Sequence, residues 1–321
     1  MGRSAVETEP HSAPAPSATT APTGSVAPAA PAVPRLARTL ISGARFDNPT
    51  PIVVDDTNVY VSSGGILLVV PKDGSKPAES VFAKTQIVSA FTADATDLYM
   101  GIYPADGPGP EGAIVRVDKK TRTPTVLTRT KMLTAIAVDD EQVWFGLLSD
   151  GAYRVDKKGG KPKAVFTGRG QVTAIAQDSE SVYFGVTRYG SKQRAEVDLV
   201  KKKGGDFSIF TTDTYDLMGL LPLPDAIYVN DNGVVKRFPR AGGPAEKVSG
   251  IGSVVGLTHR GAEVLFCDIV LADKTQPAGV LVAGQPPQLL SAAPGAVGIA
   301  ADDRTVYWAD ATARTLTALD L

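Results

Sequence analysis

A unit of about 40 residues recurs along this chain, and a fixed period of that length leaves few architectures open. The clearest copies run from Thr134 to Gly146 and from Thr173 to Gly185, reading TAIAVDDEQVWFG and TAIAQDSESVYFG at a spacing of 39 residues. Each joins an apolar strand, an acidic turn, and a second strand opening with Val and an aromatic residue. Five further copies align on that second strand: Val59-Tyr60, Leu98-Tyr99, Ile227-Tyr228, Val264-Leu265 and Val306-Tyr307. The second residue of each pair falls at 60, 99, 144, 183, 228, 265 and 307.

Periods of this length, rich in β-branched and aromatic residues and punctuated by Gly, Pro and Asp, are what four-stranded propeller blades require. The remaining strands follow the same logic. Ala152–Val155 reads as a third strand, the Asp156-Lys-Lys-Gly-Gly160 turn follows, and Lys163–Thr167 reads as a fourth. Glycine in that turn supplies the positive φ of a hairpin matched to strand twist. The two chain ends fit together. The C-terminus stops after three strands of the last unit, and Arg35–Gly43 resembles a missing fourth strand. The expectation is an all-β, seven-bladed β-propeller over residues 35–321, with blade seven closed by the N-terminal strand, which hides sheet edges otherwise open to pairing.

The segment Thr305-Val-Tyr-Trp-Ala-Asp310 resembles the YWTD-type propeller repeat, and the whole unit is similar to those of bacterial TolB-like seven-bladed propellers. The Tyr-Trp pair is whole only in the last copy, with Trp144-Phe145 and Tyr183-Phe184 elsewhere. The resemblance implies a fold more than a function, because such propellers serve as receptors, scaffolds and occasionally enzymes.

Residues 1–34 are dominated by Ala, Pro, Ser and Thr, with few large apolar side chains to offset chain entropy, and are expected to form a disordered tail. They contain no hydrophobic signal core. Tails of this kind often tether bacterial domains to an envelope, so a periplasmic or lipoprotein-anchored location is expected, with a cytoplasmic one as the alternative. The 33 basic and 34 acidic residues nearly cancel, which argues against nucleic acid as a partner. No apolar stretch approaches the ~18 residues of a transmembrane helix. One cysteine, Cys267, excludes an internal disulfide and reads as an inert buried thiol; with it, His11 and His259 are too few for a zinc site. No cofactor and no metal ligand set is expected, and a monomer is.

A repeat allows the chain to be compared with itself. What recurs builds blades. On that ground Asp56, Asp94, Asp140, Asp178 and Asp303 are expected to form turns, and Tyr60, Tyr99, Trp144, Tyr183, Tyr228 and Tyr307 to pack between blades. Lys119, Lys120, Lys157, Lys158, Lys201, Lys202 and Lys203 are expected to share a solvated face with the acidic turns. What does not repeat is the connection between strands two and three, which is long at 103–112, 187–194 and 268–279. Long loops on a rigid scaffold are where binding residues concentrate. Tyr103, Asp106, Glu111, Arg188, Tyr189, Lys192, Arg194, Asp273 and Lys274 are therefore expected to form a binding rim. No nucleophile elbow, phosphate loop or His pair is present, so catalytic residues are not assigned. The reading is a noncatalytic propeller that binds a protein, peptide or glycan. The alternatives are a Ca²⁺- or Mg²⁺-dependent propeller hydrolase or lyase acting at the central channel, and a purely structural domain of a larger assembly.

Overall fold

Val143, Trp144 and Phe145 are each buried, as are Val182, Tyr183 and Phe184, so neither face of these strands looks to solvent. Consecutive burial of β-branched and aromatic residues marks a strand covered on both sides. The outer strands differ: in Pro124–Thr130 and Ser208–Thr214 exposed positions predominate. A computed structural model describes residues 36–81, 86–104, 112–148, 151–188, 194–204, 206–249, 253–269, 278–284 and 286–321. The expected tail at 1–34 lies outside them.

These residues form seven four-stranded antiparallel sheets arranged in a ring as a seven-bladed β-propeller. Six sheets take four strands in sequence order. The seventh takes three strands between Ala296 and Asp320 and is completed by Ala37–Ser42, which pairs antiparallel with Thr315–Asp320. Blades one to six span 52–80, 86–130, 133–166, 171–214, 217–249 and 254–292. Arg314 donates to the carbonyls of Gly43 at 2.7 Å and Ala44 at 3.3 Å, and Arg38 pairs with Asp320. The Thr50 N–H donates to the Val297 carbonyl at 2.8 Å, tying blade one to blade seven.

Each seam between neighbouring blades holds its own apolar cluster, including the seam from blade seven back to blade one, where Val297, Tyr307 and Leu316 meet Val59 and Val61. Tyr60, Tyr99, Trp144, Tyr183 and Tyr307 each lie in the cluster facing the next blade, with Tyr228 packed against its own. Two positions after that aromatic the residue is small in several blades, and packing explains it. A Cβ on Gly146 would sit 2.5 Å from Cβ and Cγ1 of Val172, which begins the next blade and is fully buried. Gly146→Ala is expected to cost about 1–3 kcal/mol, read as a lower urea midpoint at unchanged slope.

Alternating strands define two faces of the ring. One carries the turns joining strands one to two and three to four. The other, the connection face, carries the strand two-to-three connections and the links between blades.

Candidate functional site

On the turn face, one acid in each of five blades accepts hydrogen bonds from the backbone N–H groups two and three residues on. In the doublets that acid is the first member: Asp55, Asp139 and Asp302, in place of the expected Asp56, Asp140 and Asp303, while Asp94 and Asp178 are as expected. The reason is reach, since only the first residue of the doublet can span the turn to both donors. The second carboxylate oxygen then accepts from the aromatic five positions on: Tyr60, Tyr99, Tyr183 and Tyr307 by hydroxyl at 2.9–3.1 Å, and Trp144 by its ring N–H at 2.7 Å.

Among the described residues, a cation from the following blade closes the motif in four of the five, all but Asp139. Lys119 meets Asp55 at 2.8 Å, Lys157 meets Asp94 at 2.5 Å, Arg240 meets Asp178 at 2.8 Å, and Lys72 pairs with Asp302. Lys119 is only 11% exposed, so the expected solvated basic face is corrected here. Lys72, Lys119 and Lys157 staple seams, while Lys120, Lys158 and Lys203 remain exposed. Burial pushes Asp55 and Asp94 upward, but the lysines and the turn N–H groups outweigh it and hold both at about 2. Leu223 and Arg260, five residues before Tyr228 and Leu265, replace the acid in blades five and six.

The connection face has a different character. A cavity of about 360 Å³ opens between blades one and two, lined by Arg45, Asp47, Ser62, Ile87, Tyr103 and Met132 among others. Met132, Leu148, Tyr215 and Met218 are 42–54% exposed and all lie on or next to links on this face. The Leu148 N–H donates to the Met132 carbonyl at 3.3 Å, which brings those two backbone segments together.

Of the expected rim, Tyr103 ends the second strand of blade two and lines this cavity. Arg188 and Arg194 face each other across the second and third strands of blade four, with blade three between them and Tyr103. Asp106, Glu111, Tyr189, Lys192, Asp273 and Lys274 lie outside the described residues. Arg188 is engaged rather than free, with its guanidinium 2.6 Å from Oε1 of Glu196. Arg169, on the link from blade three, meets the same oxygen at 2.5 Å and Asp198 at 3.2 Å. Sequence reasoning missed this group. Its one sequence signal is a pair of acids, Glu196 and Asp198, alternating in a strand of otherwise inward residues.

Cys267 is fully buried and burial pushes its thiol up to about 12, as expected of an inert thiol. His259 is the penultimate residue of the strand Val254–Arg260, with Nδ1 3.1 Å from the Gly261 carbonyl. Among the described residues no three His, Cys, Asp or Glu side chains converge as a metal site, and no helix is long and apolar enough to cross a membrane.

No protein-family model and no curated protein matches the chain. Solved structures do. The extracellular domain of BT4673 from B. thetaiotaomicron superposes with a TM-score of 0.62 at 13% identity over 88% of this chain. PorZ, a surface component of the type-IX secretion system of Porphyromonas gingivalis, does so at 0.58 and 15% over 89%. This chain spans 39% and 38% of those two. An oligogalacturonate lyase in complex with manganese superposes at 0.54 and 14%, covering 88% of this chain and 79% of its own. At such identities the likeness defines the class, a seven-bladed β-propeller, and nothing narrower.

Proposed function

We propose that this protein is a noncatalytic binding or scaffolding propeller of the bacterial cell envelope, of the YWTD/TolB-like repeat type. In this reading it works as a monomer and engages a protein, peptide or glycan through its connection face. One observation carries the reading: the cavity beside Tyr103 and the exposed Met132, Leu148, Tyr215 and Met218 share the face whose strand two-to-three connections do not repeat. Exposed Met and Tyr on a rigid scaffold are the residue types that adapt to and anchor partners. The turn face holds a cavity of about 460 Å³ beside Lys72 and Asp302, but those two charges are paired across the seam and the wall carries no exposed Met. The envelope location draws support from the extracellular and secretion-system neighbours, and the lyase alternative from a fold likeness alone.

The test is capture of envelope proteins and cell-wall glycans from a native extract. A Tyr103→Ala, Met132→Ser, Tyr215→Ala variant is expected to lose at least tenfold in capture while still unfolding cooperatively, since Met132 and Tyr215 are exposed and Tyr103 is half-buried at a cavity wall. A Lys120→Glu, Lys158→Glu variant of the turn face should capture normally. The reverse pattern overturns the proposal.

A further inference from the structure

Asp198 has a side chain with no solvent exposure, and one of its oxygens, Oδ1, has no hydrogen-bond partner. Such a carboxylate is costly to keep charged. Its only cation contact among the described residues runs through Oδ2 to Nε of Arg169, at 3.2 Å. Arg169 is shared, since its Nη2 also donates to Oε1 of Glu196 at 2.5 Å while its guanidinium lies 4.3 Å from the centre of the Phe207 ring. Nη2 of Arg188 donates to the same Oε1 at 2.6 Å. Two guanidiniums thus converge on one oxygen, a crowding that two negative charges balance and one does not.

The surroundings supply little else. Phe184 stands opposite Asp198 and Val186 opposite Glu196 in the neighbouring strand. Across the seam, blade three presents Phe166 and Trp144 to Phe184. The nearest cations along the cleft are Arg154, over the Trp144 ring, and Lys201, paired with Glu180 at 3.1 Å. Lys163, Arg194, Asp206 and Asp213 on the flanking strands and turns are exposed. The balance of the group is therefore set by its own four members.

We infer that Arg169, Arg188, Glu196 and Asp198 form a proton-operated clasp at the seam of blades three and four, in which protonation of Asp198 releases Arg188 from Glu196 to the connection face. With both acids ionised, Arg169 bridges Asp198 and Glu196, and Glu196 also holds Arg188. When Asp198 takes up a proton, Arg169 is left with Glu196 as its one anionic partner, and the repulsion of the two guanidiniums across that oxygen is no longer offset. Arg188, with its side chain 48% exposed, regains water most readily and is the one that leaves. Burial, with Glu196 adding to it and Arg169 opposing, pushes the Asp198 carboxyl up to about 7, so the exchange falls near neutral pH. Its value for partner binding rests on the proposed function. The clasp itself does not.

The full chain, observed by NMR at the carboxyl carbons and the arginine Nε–H groups between pH 5 and 8.5, tests it. The Asp198 carboxyl is expected to titrate within about one unit of pH 7, and the Arg188 signal to move with the same midpoint. In Asp198→Asn the Arg188 signal should stay at its low-pH position throughout. An Asp198 that titrates in the ordinary carboxylate range, or an Arg188 signal that does not move in the unmodified chain, overturns the inference, and that result needs no variant to fold. Capture of an acidic partner that strengthens several-fold from pH 8 to pH 6 would tie the clasp to binding. Unchanged capture beside a moving Arg188 signal would count against the binding role alone.

Discussion

A chain that begins at Gly43 rather than Leu36 is expected to melt at least 10 °C lower, or to lose cooperative unfolding altogether. The six residues Ala37–Ser42 form the outer strand of blade seven. Removing them deletes Ile41 from the cluster that also holds Phe46, Val59, Val70 and Leu316, a loss on the order of 2–5 kcal/mol for one large apolar side chain. It also removes the strand's ladder with Thr315–Asp320, at about 0.5–1.5 kcal/mol net per hydrogen bond, and the contacts of Arg38 with Asp320 and with the Lys72 carbonyl. The sum rivals the roughly 5–15 kcal/mol that holds a whole domain together. The exposed edge of Thr315–Asp320 adds a route to aggregation. Calorimetry of the two chains decides the matter. Equal melting would mean that the ring does not depend on its terminal strand.

Acid is expected to unfasten the turn face. Asp55 and Asp94 ionise at about 2 in the fold, against 3.8 for the unfolded chain, so the folded state holds their protons less tightly. Their contribution is present above pH 3.8 and is lost as pH falls towards 2. Solvent screening reduces it to about 1 kcal/mol each, because these side chains sit at the edge of the turn face and keep up to about a fifth of their surface in water. Asp178 and Asp302, also lowered against the push of burial, add with the same sign. Asp198 runs the other way: its raised carboxyl stabilises the fold at low pH, and that contribution disappears as pH rises through about 7. The net expectation is no loss, and a gain from Asp198 and the likewise raised Asp268, from pH 7 to 4, then a drop of several kcal/mol from 4 to 2, read as a falling urea midpoint. Asp94→Asn should cost about 1–3 kcal/mol at pH 7, by leaving Lys157 without its charge partner, and should flatten the acid limb. A midpoint that falls evenly from pH 7 to 2 would contradict this division of roles.

The blades were legible because their signal is local and repeated. Val143-Trp144-Phe145 and Val182-Tyr183-Phe184 announce the same buried strand at each recurrence, and closure could be read from a unit that ends one strand short. The turn acids were legible only to within one residue. In Asp55-Asp56, Asp139-Asp140 and Asp302-Asp303 the composition is the same whichever acid caps the turn, and only the distance to the donors chooses between them. The connection face was legible as a region, through links of unequal length, and Tyr103 does line a cavity there. The partners of Arg188 were not. Glu196 lies eight residues away, but Arg169 reaches it from the link that precedes the blade, and no period connects a link to a strand of the blade it enters.

Seams fastened by lysine or arginine and seams fastened by apolar contact respond to different stresses. Among the described residues four joins carry the charged staple; Leu223 and Arg260 leave the joins of blade five to six and of six to seven without its acid, and the former relies on a small group around Val235, Val254, Phe266 and Leu281. Salt and acid should loosen the stapled part of the ring first, whereas cooling, which weakens the hydrophobic effect, should loosen blade six. A closed circle parts at its softest join, so the place where this one opens is set by its surroundings as much as by its sequence.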